Sequence, residues 1–470
     1  MSGVDSSKEG ICTLFLLTIM YDIPTELLQH IFALTIEPLH DDGNITPVGQ
    51  DAAPWSLLRV CRLWENVALS SPELWSTIVV SAEHTSPPEQ YYLALQLQRS
   101  ENAPLDIILR MAAPYIRVST DVDGGPSKML TLVANVSARW RSFRISRYTR
   151  WPFIPPISLA FDGIRALPLL ERVVVSENPN ADRSNDILDG AGFLFRDSPR
   201  LHCVVLNGLG AYAVRFQAGV PWRQIRTYKA KYALWDEHVS NLVPMARTLV
   251  DADLSLPSGR AGLLWNDRPP LELPSLKRLV VSHGVVLDLI SAPALAELHV
   301  CGAVEHQLPD FLARSACKIR RFTIYQCPTS ARVLLDILGG MSGTLEHLAL
   351  ELRGEDHDTA SVHNVLQGLT LARGGAVDAE RQLCPHLASI CWSTAKGVDD
   401  HDILLEMVYS RWRLAIPARK LRVVDVHLNS RLMRSRDWYE LREEGLEVRL
   451  VPMTKVARAI REWREYLPVV

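Results

Sequence analysis

Two short runs, EDHD at 355–358 and DDHD at 399–402, set histidines beside carboxylates. From such residues a metal-dependent phosphohydrolase builds its centre, where bound ions lower the pKa of water and orient it. That chemistry needs several His and Asp side chains converging from helices, and the surrounding sequence predicts no convergence. His357 falls in a loop just past a strand-like segment, and His401 near a helix start where Asp399 and Asp400 serve as caps. Cys61 lies on an apolar helical face with no histidine near it in sequence, so it is expected to pack rather than to attack. The eight cysteines (Cys12, Cys61, Cys203, Cys301, Cys317, Cys327, Cys384 and Cys391) make no CxxC pair, which predicts free thiols in a reducing compartment and no zinc site. No GxxxxGK[ST], GxGxxG after a strand, GxSxG or HExxH occurs. The expectation is a chain with no catalytic site, no metal and no cofactor.

Composition narrows the partners. A formal net charge of −3 supplies no basic excess, so neither nucleic acid nor a membrane surface is an expected partner. With 47% hydrophobic and 22% charged residues the chain resembles a soluble globular protein, and 470 residues exceed one ordinary core. The apolar run ICTLFLLTIM at 11–20 is too short to cross a bilayer, which takes roughly 20 residues. Asp5 and Glu9 against Lys8 deny it the cationic start of a signal peptide. It reads as a strand or helix that docks on the next domain, in a protein of the cytoplasm and/or nucleus.

The elements fall into zones. Residues 20–80 hold a helical domain: PTELLQHIFALTI places Leu27, Leu28, Ile31, Phe32 and Thr35 at helical spacing behind Pro24 and Glu26. HDDGNITPVGQDAAP at 40–54 is a loop, and SLLRVCRLWENVALS resumes a helical period through Leu57, Val60, Cys61, Trp64, Val67 and Ala68. Residues 81–165 form a connecting region with a helix near 87–100, a strand-like PLDIILR and a further helix leading to RWRSFRIS. From 166 to 453 one pattern recurs, φ-x-x-φ-x-φ with φ apolar. Its ten copies begin at Leu170, Leu201, Ile225, Leu249, Leu276, Leu295, Ile319, Leu345, Leu387 and Leu421, and five of them carry a proline two residues earlier. A unit of this size with one short strand each predicts a solenoid whose stacked copies share a core. Residues 454–470 predict an amphipathic capping helix on Val456, Ile460, Trp463 and Leu467.

Strand geometry then predicts which side chains look outward. If the fourth and sixth positions of each copy enter the core, the third and fifth face the inner, concave side of a parallel sheet. Around the middle copies these include Arg278, Glu297, His299, Arg321, Thr323 and His347, a charged ladder of mixed sign suited to a protein target.

The helical domain poses a different problem. Trp55, Trp64 and Trp75 fall within 21 residues, among Leu57, Leu58, Val60, Val67 and Leu74. That is more apolar material than one three-helix layer can hide, so either the solenoid or another protein must cover part of it.

IPTELLQHIF resembles the opening of an F-box, Leu-Pro-x-Glu-Leu-Leu-x-x-Ile-Phe, with Ile23 in the leading place, and WSLLRVCRLWENVALSSPELW resembles its second half. The likeness covers 22–76, and together with the leucine-repeat-like remainder the chain is similar to the large F-box families of mushroom-forming fungi. The loop at 33–54 is longer than in a compact F-box, and Gly284, Ala303 or Arg353 stands where a regular leucine-rich repeat carries Asn or Cys. The resemblance therefore implies an α/β (α+β overall) protein: a small all-helical F-box, an irregular leucine-rich-repeat-like solenoid and a capping helix. It also implies a non-catalytic substrate adaptor of an SCF-type cullin–RING ubiquitin ligase, binding the linker subunit and through it a cullin. Ile23, Pro24, Leu27, Leu28, Ile31, Phe32, Leu57, Leu58, Val60, Cys61 and Trp64 would meet the linker subunit, and the repeats an unknown protein target. The alternative is a repeat scaffold that binds a partner outside a ligase.

Overall fold

The computed structural model describes residues 23–36, 53–81, 87–111, 125–147, 161, 163–177, 194–207, 219–231, 235–256, 269–301, 306–325, 330–352, 359–371, 382–394, 401–413, 420–428 and 435–452. The apolar run at 11–20, the loop at 40–52, EDHD, Asp399, Asp400 and the expected capping helix lie outside these residues. The chain divides into two compact units, Met1–Pro221 and Trp222–Val470, whereas the expected boundaries stood near 80 and 165.

The first unit opens with helix α1 (Thr25–Thr35), which starts behind Pro24; the Leu27 and Leu28 N–H groups donate to the Pro24 carbonyl at 3.0 and 3.1 Å. Glu26 occupies the first turn, where a helix favours negative charge. A 3₁₀ turn at Trp55–Arg59 and helix α2 (Arg62–Leu69) follow, then a second 3₁₀ turn at Pro72–Trp75. The single helical period expected through Leu57–Ala68 is therefore interrupted. Cys61 is fully extended (φ −161°, ψ 168°) and starts α2 by accepting the Glu65 N–H at 2.9 Å. In an unbroken helix, at 100° per residue, Val60 would flank Leu57 on the buried face. Val60, the residue just before the break, is instead exposed.

Next come β1 (Thr77–Ser81), α3 (Pro87–Arg99), β2 (Leu105–Met111), α4 (Gly125–Ala134), β3 (Trp140–Arg147), β4 (Arg172–Glu177) and β5 (Cys203–Asn207). These five strands pair in chain order, all parallel. Arg139 ties the loop after α3 in place, donating to the Ser100 and Ala103 carbonyls at 3.0 and 2.9 Å.

The second unit begins with β6 (Thr227–Lys231), α5 (Trp235–Met245), β7 (Asp251–Ser255), β8 (Leu271–Glu272), β9 (Arg278–Val281), α6 (Val285–Asp288), β10 (Ile290–Ser291) and β11 (Glu297–Cys301). It continues through α7 (Gln307–Ser315), β12 (Arg321–Tyr325), α8 (Ala331–Met341), β13 (His347–Leu352), α9 (Thr359–Leu369), β14 (Ser389–Thr394), α10 (His401–Arg413), β15 (Val423–Leu428), α11 (Arg436–Glu443) and β16 (Glu447–Pro452). Apart from β8 and β10, which pair with each other, the strands again run parallel in chain order, and neither unit closes into a barrel. The fold is mixed α/β with long parallel pairing, as a solenoid-like chain requires. Among the described residues no helix is long and apolar enough to cross a membrane.

All ten motif copies lie on strands, and each strand starts at the third motif position. The prolines explain part of this regularity. In the five proline-bearing copies the first apolar residue (Leu170, Leu201, Leu276, Leu295 or Leu387) donates its N–H to the carbonyl three residues back at 3.1–3.2 Å. Proline thus occupies the second position of a tight turn, where its fixed φ suits the geometry. The second-position carbonyl then stitches the next copy. Lys277 O accepts the N–H groups of Ala296 and Glu297, and Arg320 O those of Glu346 and His347, all at 2.9 Å. β3 obeys the same rule through Trp140, Phe143 and Ile145, with Ser142 paired to Arg172, so the pattern reaches into the expected connecting region.

The fourth and sixth positions are buried as expected; Phe322 and Ile324 are typical. The third and fifth positions are not the solvated row that a sheet with one wet face would show. Arg278, Glu297, His299, Arg321 and Thr323 are each no more than 8% exposed. Both faces of these strands are withdrawn from water, the usual state of parallel strands.

Candidate functional site

The helical region of the first unit hides its aromatic residues and shows its aliphatic ones. Leu28, Phe32, Leu57, Val67, Ala68, Leu74 and Trp75 make one buried cluster, with Trp55, Leu58 and Trp64 packed at its margin. Trp75 donates its indole N–H to the Ala68 carbonyl at 2.8 Å, and Phe32 lies 4.8 Å from Trp64. Trp55 stands edge-on to Trp75 at 4.9 Å and to Tyr92 of α3 at 5.3 Å. The Arg99 guanidinium sits 4.4 Å from the Trp75 ring and 4.9 Å from that of Trp55, a favourable cation–π position. The tryptophans that made this stretch conspicuous are therefore largely occupied by its own core and by α3.

What remains outside is a stripe on α1. Leu27, Ile31 and Leu34, at i, i+4 and i+7, are 55%, 44% and 72% exposed, and Val60 is 52% exposed. Full burial of such a side chain is worth about 1.5–3 kcal/mol, so these four half-wet groups offer on the order of 4 kcal/mol to whatever covers them. Of the eleven residues expected to meet a linker subunit, Leu27, Ile31, Val60 and Pro24 are exposed. Ile23, Leu58, Cys61 and Trp64 are half-buried, while Leu28, Phe32 and Leu57 support the stripe from within. Leu34 was not among the eleven; its spacing from Leu27 was the signal.

The charged ladder is a second, different arrangement. Strand register sets Asp251 beside Arg278, Arg278 beside Glu297, and Glu297 beside Arg321, so the signs alternate across four neighbouring strands. Arg321 donates to Glu297 at 2.9 Å, and Arg278 lies 3.6 Å from Glu297 and 3.5 Å from Asp251. His299 pairs in register with Thr323, and the half-buried His347 with Arg321. Charges removed from water need close partners of opposite sign, and this register supplies them. On β4 and β5 the equivalent positions instead hold an apolar cluster of Val174, Cys203 and Val205.

Polar groups elsewhere serve the fold. His238 is buried with Nδ1 3.4 Å from the Tyr228 hydroxyl, which also accepts from Asn241 at 3.0 Å. Burial pushes the His238 pKa down to about 4. Arg411, itself buried, donates to the Leu369, Cys384 and Leu383 carbonyls at 2.7–2.8 Å. Burial raises the thiol pKa of Cys384 to about 11 and that of Cys391 further, so both remain protonated. His401 opens α10 and packs edge-on against Trp438 at 5.8 Å. Among the described residues no group of three His, Cys, Asp or Glu side chains could hold a metal ion. In comparisons with known proteins, no family model and no curated protein matches the chain.

Proposed function

We propose that this chain is the substrate-recognition adaptor of an SCF-type cullin–RING ubiquitin ligase, with residues 20–80 as an F-box. The uncovered stripe of Leu27, Ile31 and Leu34 on α1, with Val60 also exposed after the 3₁₀ turn, carries this reading: large exposed aliphatics on a well-packed helical domain mark a protein-binding surface. The resemblance of IPTELLQHIF and of the Trp55–Trp75 stretch to an F-box supplies the partner, the ligase's linker subunit and through it a cullin. Pro24, Ile23, Leu58, Cys61 and Trp64 border the stripe in this assignment, and Leu28, Phe32 and Leu57 hold it rigid. The remaining strands and helices would form an irregular leucine-rich-repeat-like solenoid, closed by a cap after residue 453. Target capture would fall to the solvent-facing parts of this repeat region; Arg278, Glu297, His299, Arg321 and Thr323, expected to line it, are at most 8% exposed, with His347 half-buried beside them, and so support the sheet from within. The adaptor performs no chemistry itself; it raises the effective concentration of a target lysine near the ubiquitin thioester, in the cytoplasm and/or nucleus.

Co-expression of the full chain with linker subunit and cullin, followed by size-exclusion chromatography, tests this. Stoichiometric co-elution is expected, lost by at least 100-fold in affinity for Leu27→Asp with Ile31→Asp. Elution with the linker alone favours the scaffold reading. Failure to bind either partner would sink the F-box assignment.

A further inference from the structure

The chain holds 41 arginines and nine lysines. Lysine is among the commonest residues of globular proteins, so the imbalance needs a cause. Arginine is demanded where a planar fork must meet carbonyls or carboxylates. Arg411, Arg139 and Arg321 answer that demand, as does Arg314, which donates to the Leu287 and Ile290 carbonyls at 2.6 and 3.1 Å. The fold asks nothing of the kind at Arg165, Arg200, Arg247, Arg320 and Arg332, which all lie exposed to solvent. At such positions a lysine would carry the same charge, with similar helix propensity and similar rotamer entropy. The distribution is uneven too: between Lys8 and Lys229 the only lysine is Lys128, and residues 20–80 contain none.

What separates the two cations is nucleophilicity. An ammonium group can release a proton and become an amine, whereas a guanidinium remains charged in proteins. In ubiquitin transfer a lysine ε-amine attacks the thioester carbonyl between ubiquitin's C-terminus and the conjugating enzyme's cysteine. The C–N bond forms, the C–S bond breaks, the cysteine leaves as thiolate and the amine's surplus proton passes to solvent. A protein held in the ligase shares the high effective concentration meant for its target. We propose that arginine stands for lysine across this chain's surface so that the adaptor is a poor acceptor of ubiquitin and survives successive targets. This inference rests on the adaptor reading above.

The test has two arms and uses the full chain. In one, the chain is assembled with linker subunit, cullin and RING subunit, then supplied with activating enzyme, conjugating enzyme, ubiquitin and ATP. In the other, a lysine-free peptide tag recruits it to a cullin–RING ligase carrying a binder for that tag, which bypasses the helical region. Each arm compares the wild-type chain with a variant carrying Arg165→Lys, Arg200→Lys, Arg247→Lys, Arg320→Lys and Arg332→Lys. The expected result is at least a fivefold faster conversion of the variant in both arms, with most wild-type chain unmodified. Equal rates in the tagged arm overturn the inference whether or not the first arm assembles. Heavy wild-type modification in an assembled complex overturns it as well. Failure to assemble with a fivefold difference under the tag removes the adaptor reading, and with it the protective purpose, while retaining the poor-acceptor chemistry.

Discussion

The helical region near the N-terminus and the repeat strands of the second unit solve burial in opposite ways. The first, short of volume, places Trp75, Phe32 and Leu28 inside and leaves Leu27, Ile31 and Leu34 in water. The second withdraws even its charges: Arg278, Glu297 and Arg321 lie within a few ångströms of each other and almost out of reach of solvent. The lesson is that residue type alone does not reveal which surface is available. Aliphatic side chains sit outside where a partner can reach them, and ionic ones sit inside because neighbouring copies neutralise them.

Breaking the ladder should have the largest effect on stability. Glu297→Ala leaves two buried arginines without their shared carboxylate and should cost about 3–5 kcal/mol, measured by chemical denaturation of the full chain. Replacing Asp251, Arg278, Glu297 and Arg321 together by Leu, Met, Leu and Met should cost far less or even stabilise, because no member of the ladder is then left without its partner.

Acid probes the same unit at a polar site without an ionic partner of that kind. The pKa of His238 is about 4 in the fold against 6.5 in its absence, so above 6.5 both states are neutral and stability is complete. As pH falls from 6.5 to about 4 the unfolded chain takes up the proton alone, and stability declines by about 3 kcal/mol. Denaturation at pH 7 and pH 4.5 checks this, and His238→Asn should flatten the dependence. The smallest effect belongs to the α1 stripe. Leu27→Asp with Ile31→Asp should lower the unfolding free energy by about 1–2 kcal/mol, since each side chain is only about half covered and Asp is a poorer helix former. A loss comparable to that of Glu297→Ala would mean that the stripe is core and would erase the contrast between the two regions.

Much of the fold could be read from the chain before its coordinates. The φ-x-x-φ-x-φ copies from Leu170 to Leu421 all became strands, because proline turns and alternating apolar residues act over a few neighbours. β1 (Trp75, Ile78 and Val80) and β3 carry the pattern outside the expected repeat zone, next to helix-like sequence, whereas β2 and β16 have Pro104 and Gly445 where the first apolar residue would stand. The interruption at Cys61 was illegible, since periodicity counts spacing and does not register one extended residue. The inward turn of Trp55 and Trp75 depended on Tyr92 and Arg99, some 20 to 40 residues away. The expected wet concave face failed because strand register sets Arg278, Glu297 and Arg321 side by side, where their side chains cover one another. Within the candidate binding stripe, Leu27, Ile31 and Val60 were anticipated and Leu34 was not, and only coordinates could separate them from Leu28 and Phe32 one residue away.

The shared second-position carbonyls also bear on mechanics. Seven strands of the second unit, β7, β9 and β11 to β15, are held by bonds running across to the preceding copy, with two N–H groups converging on one oxygen at the strand's start. Tension applied across the strands would load these bonds a few at a time rather than all together, so the unit should open like a zip, copy after copy, at low force. Each step would release roughly 25 residues, on the order of 80 Å of slack. A motor that threads a chain end could dismantle it in such increments, meeting many small barriers instead of one large one.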